Sequence, residues 1–154
     1  MLARLAAVMI TLVGALGAAR PEAPPAATPE AMHSATTVEL RVRGLRSSNG
    51  KLMAALHDRA DGFPKEGGID FGTATISGGK ATIVFSVAPG QYAISCFHDE
   101  NGNGKLDTNW LGIPKEGVCA SNDAKARMGP PKFGDAKFQV GDTTVVQSVQ
   151  MVYL

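Results

Sequence analysis

The chain has 154 residues, with 15 basic and 14 acidic side chains and a formal net charge of +1. A phosphate-binding surface normally shows a clustered basic excess, so this balance excludes nucleic acid as the expected partner. The length allows one domain with a real core and leaves no room for a second.

The first 19 residues have the pattern of a signal peptide. Arg4 gives a short positive start, residues 5–16 are almost entirely apolar, and small residues at 17–19 suit cleavage. The apolar run is shorter than the roughly 20 residues that a membrane-spanning helix needs. We therefore predict an exported protein, periplasmic or secreted, with no stable membrane insertion after signal removal. Residues 20–35 contain four prolines among Ala and Glu, a composition that predicts an extended linker.

Residues 36–154 are expected to form a single β-sandwich domain. In its first segment, Val38, Leu40 and Val42 alternate with charged residues, which predicts a half-buried strand over residues 37–43. The same pattern predicts further strands over residues 51–58, 73–77, 81–87, 91–98, 136–140 and 144–153. Turn residues at 47–50 predict a hairpin between the first two strands, and Gly78-Gly79 predicts another between the next two.

About seven short strands, without sustained helical periodicity, predict an all-β fold. The expected architecture is an antiparallel β-sandwich of the Ig-like or prealbumin-like kind. The exception is a Gly-, Asn- and Pro-rich loop over residues 99–134. Loops longer than about 15 residues are usually functional or disordered, so this one is either the working part or internally braced.

Residues 99–107 match the first nine positions of a calcium-binding loop. Asp99, Asn101 and Asn103 take positions 1, 3 and 5, Gly104 the turn at 6, Lys105 a backbone carbonyl at 7, and Asp107 position 9. Calcium prefers six to eight oxygen ligands, and alternate side chains on a tight turn deliver oxygens to one point. The pattern predicts a weak calcium site, with a Kd of about 10⁻⁴ to 10⁻³ M as in extracellular modules.

The match ends at position 12, where Trp110 replaces the bidentate Glu of an EF-hand. The missing oxygens would have to come from water or from residues such as Glu116 or Asp123. In the alternative interpretation, Asp and Asn side chains close Asx turns on their own backbone and the segment is only a stiff polar connection. Both interpretations are open at this point.

Cys96 and Cys119 are the only cysteines. Disulfides persist in exported proteins, and a bridge here would close a loop of roughly 20 residues, contributing about 3 kcal/mol. Two separate buried thiols are the alternative.

The pairs His57-Asp58 and His98-Asp99 each end a predicted strand, where a hydrogen-bonding structural role is expected. The alternative is a small transition-metal site built from the two pairs on neighbouring strands. Trp110 is expected to plug one end of the core rather than present an apolar patch. The sequence lacks a nucleophile elbow, a Walker loop, a HExxH pair and a dinucleotide fingerprint, so no enzyme is predicted.

Several segments follow one another along the chain, in the order LRVRGL, FP, APGQYAI, HDENGNGKLDTN, GIPKEG, SND and PPKFGDAKF. Together, over about residues 38–153, they resemble the bacterial domain-of-unknown-function family 2141 (DUF2141). The resemblance implies a secreted or periplasmic single sandwich domain with no established activity, and it supplies no catalytic residues. The APGQY turn also resembles transthyretin-like and carboxypeptidase regulatory-like modules, which implies a prealbumin-type sandwich. Cys96 and Cys119 depart from the family pattern, and a disulfide particular to this chain explains both.

The function expected from these features is a binding or structural role in the cell envelope, with a protein or another envelope component as partner. Calcium would brace the long loop, which would present residues 110–114 or Pro130-Pro131. A small-ligand carrier of the transthyretin type, with a pocket between sheets or subunits, is the alternative. An enzyme using the His98 and Asp99 end of the sheet is a third hypothesis.

Overall fold

The computed structural model describes residues 34–154, and these residues contain eight strands and two short helical segments. In chain order they are β1 (Thr36–Arg43), β2 (Lys51–His57), β3 (Asp70–Ala74), β4 (Lys80–Val87), β5 (Gly90–Asp99), β6 (Val118–Ala120), a 3-10 turn (Ser121–Asp123), α1 (Phe133–Ala136), β7 (Phe138–Val140) and β8 (Val145–Gln150).

The strands form two sheets. In the three-stranded sheet, β1 pairs antiparallel with β4 and parallel with β8. In the five-stranded sheet, β2 lies between β3 and β5, and the far edge of β5 pairs with β7 near its start and with β6 near its end. The predicted all-β sandwich is confirmed, with eight strands and one parallel pair.

One hydrophobic core lies between the sheets. The predicted inward face of β1 is confirmed, since Val38 and Leu40 are fully buried and Val42 is 2% exposed. Leu52 and Leu56 of β2 and Ile94 of β5 reach the same core from the opposite sheet. Because successive strand residues point to opposite faces, the charged residues of β1 (Glu39, Arg41 and Arg43) lie on the outer face of the three-stranded sheet.

The predicted hairpin between the first two strands is wrong. β1 and β2 belong to different sheets, so the turn at 47–50 carries the chain across the sandwich instead of pairing its two flanking strands. The Gly78-Gly79 turn does form, with backbone hydrogen bonds between Ser77 and Lys80. However, β3 lies three residues earlier than predicted and in the sheet opposite β4, so this turn also connects the two sheets.

A second, smaller apolar cluster covers the outer face of the five-stranded sheet. Ala93 of β5 packs there with Ala120 and Ala136, and the rings of Phe63 and Phe133 close the cluster at a centroid distance of 5.8 Å. The long segment predicted as a loop over residues 99–134 is therefore internally braced in its second half, by β6, the 3-10 turn and the start of α1.

The predicted signal peptide at residues 1–19 and residues 20–33 of the predicted linker lie outside the described residues. Between residues 34 and 154, neither helical segment has the length and apolar character needed to cross a bilayer.

Candidate functional site

The segment predicted to bind calcium, here called the candidate loop (residues 99–107), begins at the last residue of β5. The Asp99 side chain is almost fully buried, and its two carboxylate oxygens accept the backbone N–H groups of Asn103 at 3.1 Å and Gly104 at 2.8 Å. Gly104 has φ +75°, the left-handed conformation expected at the sixth position of a calcium loop. The first position of the loop is thus fixed by the turn that follows it.

The remaining predicted ligands converge on Asp107. The side-chain amide of Asn101 donates to the Asp107 carboxylate at 2.6 Å, and that of Asn103 donates to both its oxygens at 3.2 Å. The amide oxygens of Asn101 and Asn103 accept the backbone N–H groups of Asn103 and Lys105, which makes two consecutive Asx turns. The structure therefore shows the Asx turns of the alternative interpretation and also brings the predicted ligands together.

Glu116 lies against the candidate loop, nine residues beyond its end. Its carboxylate is 5% exposed and accepts the backbone N–H of Glu100 at 2.9 Å and that of Asp107 at 3.0 Å. One carboxylate thus joins the second and ninth positions of the loop. Asp123, the other residue considered as a distant ligand, lies elsewhere and accepts the N–H of Gln150.

The donor set at the candidate loop is rich in oxygen and poor in other ligands. Among residues 34–154, no three His, Cys, Asp or Glu side chains come close enough together to hold a metal ion. A cation here would therefore need amide and carbonyl oxygens beside the carboxylates, which calcium accepts and zinc or copper do not favour.

A polar network fixes the base of the candidate loop to the rest of the domain. Arg46 forms a two-pronged ion pair with Glu100, and its guanidinium lies 4.3 Å from the centre of the Tyr153 ring. The hydrogen bonds from Arg46 hold the pKa of Glu100 below its usual value. Burial raises the pKa of Tyr153, whose hydroxyl accepts the backbone N–H of Arg46.

His98 is a structural residue within this network. Its ring is fully buried, with Nε2 2.8 Å from the Asn49 carbonyl oxygen and Nδ1 2.8 Å from the Tyr153 hydroxyl. Because the carbonyl can only accept, Nε2 carries the proton and Nδ1 accepts from Tyr153. Both nitrogens are used, so neither is free for a metal ion or for acid–base chemistry.

The two histidines do not form a metal site. His57 pairs with Ala93 in the register between β2 and β5, whereas His98 pairs with Leu52, so the two rings lie on opposite faces of the sheet. The His57 ring packs edge-on against Phe63, and its Nε2 lies 3.0 Å from the Ser95 hydroxyl. Burial lowers the pKa of His57, against smaller raising effects from Asp58 and the Glu66 backbone. The transition-metal site that the sequence left as an alternative is therefore wrong.

Cys96 and Cys119 form the predicted disulfide. They face each other in the register between β5 and β6, with their Cα atoms 5.0 Å apart. The bridge closes the segment that contains the candidate loop, so that this segment is tied at its base by Glu116 and by a covalent bond.

Residues 108–114, here called the apolar tip, project beyond the candidate loop. Trp110 is 90% exposed and Leu111 60% exposed, so the expectation that Trp110 plugs the core is wrong. Asn109 organises this turn: its side-chain oxygen accepts the N–H groups of Leu111 at 2.9 Å and Ile113 at 3.0 Å. Sequence reasoning missed Asn109, although an Asn followed shortly by Gly is the ordinary signal of a tight turn.

Comparison with known proteins gives one family. A model described as "Uncharacterized protein conserved in bacteria (DUF2141)" matches residues 40–148, which include the second half of β1 and most of β8. No curated protein matches the chain, and no solved structure matches it. The matched region covers most of the chain and both sheets, and the chain therefore belongs to the bacterial DUF2141 family.

Proposed function

We propose that this chain is an exported β-sandwich module with a binding or structural role in the cell envelope, and that calcium bound at residues 99–116 fixes its long loop. Export is supported by the signal-peptide pattern of residues 1–19 and by a disulfide of the kind that persists outside the cytoplasm. The observation that carries the calcium proposal is the return of Glu116, which brings a carboxylate to a loop whose twelfth position lacks one.

The carboxylates of Asp99, Asp107 and Glu116 are not close enough together in this arrangement to hold one ion, so calcium would draw them closer and bind oxygen atoms that keep a free lone pair. Each carboxylate oxygen of Asp99 and Glu116 accepts one backbone N–H and has room for a second partner. Asp107 faces two amide groups that would rotate away or present their oxygens when a cation binds. The Lys105 carbonyl and water would complete the six to eight oxygens that calcium needs.

Calcium titration of residues 34–154 by calorimetry, with thermal melts alongside, tests this proposal. These residues contain the whole core of both sheets, so we expect the fragment to fold by itself. A Kd of about 10⁻⁴ to 10⁻³ M would stabilise the domain by about 1–2 kcal/mol at about 5 mM calcium. The melting temperature would then rise by roughly 4–9 °C in a domain of this size.

Three variants with matched controls make the test specific. Asp99→Ala, Asp107→Ala and Glu116→Gln should each abolish the calcium-dependent rise in melting temperature. Asp61→Ala and Glu66→Gln change exposed acids outside the site and should retain it. The Glu116 variant matters most, because a loop that binds calcium without Glu116 would remove the observation on which the proposal depends.

Two results would contradict the calcium proposal. One is no heat of binding and no thermal shift at several millimolar calcium. The other is an equal shift in all three site variants, which would indicate nonspecific screening of surface charge. Either result would leave Glu116 and the Asx turns as a purely polar brace of the loop.

The small-ligand carrier gains no support from the described residues. Leu40, Leu52 and Ile94 fill the space between the sheets with side chains that are fully buried. A depression of about 220 Å³ lies instead on the outer face of the three-stranded sheet, among the basic side chains of Arg41, Arg43 and Lys80. Arg41 is already paired with Glu39, and Arg43 donates to Gln150.

A further inference from the structure

The apolar tip exposes large side chains that contribute nothing to the core. Trp110, Leu111 and Ile113 are 90%, 60% and 42% exposed, and they lie within four consecutive residues. Scattered exposed apolar residues are ordinary, but a contiguous group on one turn indicates an interaction surface. Trp is the side chain most suited to a boundary between water and an apolar phase, because its large ring carries one polar N–H.

Four backbone N–H groups of the apolar tip are hydrogen-bonded within the tip itself. The N–H of Asn109 donates to the Ile113 carbonyl at 2.8 Å, and that of Gly112 donates to the Asn109 carbonyl at 2.9 Å. The N–H groups of Leu111 and Ile113 donate to the Asn109 side chain, and Pro114 has no N–H. Internal pairing of these groups lowers the cost of moving the turn into a water-poor membrane interface.

The base of the apolar tip presents positive charge. Lys105 and Lys115 flank it, are exposed, and form no ion pair among the residues described. The nearby acids are buried or hydrogen-bonded: Glu116 is buried, Glu100 is paired with Arg46, and the partly buried Asp107 accepts the amides of Asn101 and Asn103. Within residues 34–154, the exposed side-chain charges beside the apolar side chains that have no partner are therefore the two lysines.

From these three observations we infer that the apolar tip inserts shallowly into an anionic lipid surface. Trp110, Leu111 and Ile113 enter the boundary between headgroups and acyl chains, while Lys105 and Lys115 contact the headgroup phosphates. The contact is peripheral and reversible, since one short turn buries far less apolar surface than a spanning helix. The inference goes beyond calcium binding, because the hydrogen bonds that order the tip lie within it.

A protein partner is the competing occupant, and the geometry favours lipid over it. Four main-chain N–H groups of the tip already donate within the turn, so it offers a partner chain few donors to pair with. Exposed apolar side chains with lysines beside them match the layered polarity of a membrane surface. Self-association through the same side chains is the simplest protein-based alternative, and it is an outcome of the test.

Cosedimentation of residues 34–154 with vesicles tests the inference. This fragment leaves out the apolar run at residues 5–16, which would bind lipid by itself. The vesicles contain phosphatidylcholine alone or with about 30% phosphatidylglycerol, and salt is varied from about 0.1 to 0.5 M. Each mixture is measured with calcium and with a chelator, so that any calcium requirement is read separately from lipid binding.

We expect binding to the anionic vesicles that weakens with salt. Trp110 is the only Trp, so its emission reports the tip directly and should shift to shorter wavelength on binding. Trp110→Ala should lower the partition coefficient by about tenfold or more, whereas Phe71→Ala, which removes another exposed ring on β3, should leave it unchanged.

Reversing the charge of the two lysines provides a second test of lipid binding. Lys105→Glu with Lys115→Glu should weaken binding to anionic vesicles by more than tenfold, because each lysine at such a surface contributes roughly fivefold. Lys80→Glu with Lys125→Glu makes the same change in net charge at exposed positions away from the tip and should have a much smaller effect.

Three results would overturn the inference. The first is no binding to anionic vesicles with or without calcium. The second is binding that Trp110→Ala does not weaken, which would locate the contact elsewhere. The third is a dimer, seen by light scattering, that Trp110→Ala dissociates while vesicles fail to compete with it; this would assign the tip to self-association.

Discussion

The disulfide between Cys96 and Cys119 should contribute a large part of the stability of this domain. It closes a segment in which the partners are 23 positions apart and which contains both the candidate loop and the apolar tip. Because the chain has only these two cysteines, the bridge is the one cross-link that can restrain the segment in the unfolded chain. The bridge can be removed in two ways: by a reductant in the unchanged protein, or by the double variant with Cys96→Ala and Cys119→Ala.

The expected magnitude follows from the entropy of closing the loop. For a separation of this length, the cross-link restricts the unfolded ensemble by about 3 kcal/mol at 25 °C. A domain of this size unfolds with an entropy of roughly 250 cal/mol/K, so the same loss lowers the melting temperature by roughly 10–15 °C. The double variant should lose somewhat more than the reduced protein, because Cys96 is buried and its sulfur fills space in the core.

Urea unfolding of residues 34–154, followed by far-ultraviolet circular dichroism, measures this difference. Circular dichroism is required because Trp110 is exposed in the native state and cannot report the loss of the core. The oxidised and reduced proteins are compared at equal concentration, and free energies are extrapolated for each form, since a cross-link also changes the denaturant slope. The double variant is the control for the reductant, which should not change its stability.

A difference below about 1 kcal/mol between the oxidised and reduced proteins would refute this reasoning. It would mean that residues 97–118 stay restrained without the bridge, through the hydrogen bonds of Glu116 or through residual structure in the unfolded chain.

Three further outcomes are expected. Burial lowers the pKa of His57, so the stability that this effect contributes is fully present above about pH 6.5 and is lost as pH falls toward the lower folded-state pKa. NMR titration of the ring should place its pKa below 6.5. The variant His57→Gln should flatten the pH dependence of the free energy of unfolding between about pH 7 and 5. Gly50→Ala should destabilise the domain by about 2–4 kcal/mol in urea unfolding, because a Cβ at this position would lie 1.7 Å from the Asp99 carbonyl oxygen and the residue has φ +65°. The control Gly141→Ala places its Cβ where no atom lies within 4 Å, so it should leave the stability nearly unchanged. The emission maximum and acrylamide quenching of Trp110 should be almost the same in native and urea-unfolded protein, and a blue-shifted native spectrum would contradict the exposed tip.

The strands and the inward face of each were largely predictable, because period-two alternation is a local property. Spacing alone places three residues on one face of β1, namely Val38, Leu40 and Val42, and all three are buried. Strand pairing depends on contacts far apart in the chain, which no local pattern records. The turn at residues 47–50 therefore looked like a hairpin, although it connects two sheets.

The candidate site was predictable in its first half only. The spacing of Asp and Asn in residues 99–107 predicts an oxygen-rich turn, and the structure brings Asn101, Asn103 and Asp107 together. The approach of Glu116 depends on how the chain returns from the apolar tip to β6, which spacing does not reveal. The prediction that Trp110 is buried is wrong for a related reason. A large apolar residue is expected to be buried, and only the hydrogen-bonded turn around Asn109 shows that Trp110 is exposed.

The structure also distinguishes segments that stabilise the fold from one that does not. The SND segment stabilises the fold by hydrogen bonds to other parts of the chain. The Ser121 hydroxyl donates to the Ala136 carbonyl and accepts the Ile94 N–H, and the Asn122 side-chain amide donates to the Lys137 carbonyl. The FP and PPKFGDAKF segments meet through the rings of Phe63 and Phe133.

The segment from Trp110 to Ile113 has no such role, because its side chains face solvent and its hydrogen bonds serve only its own turn. Removing these apolar side chains should therefore leave the stability of the domain nearly unchanged, whereas a stable fold alone gives no reason to expose them. An exposed apolar turn that is held rigidly on a cross-linked base is costly for solubility, and this is the physical ground for looking for the partner of this protein at the apolar tip.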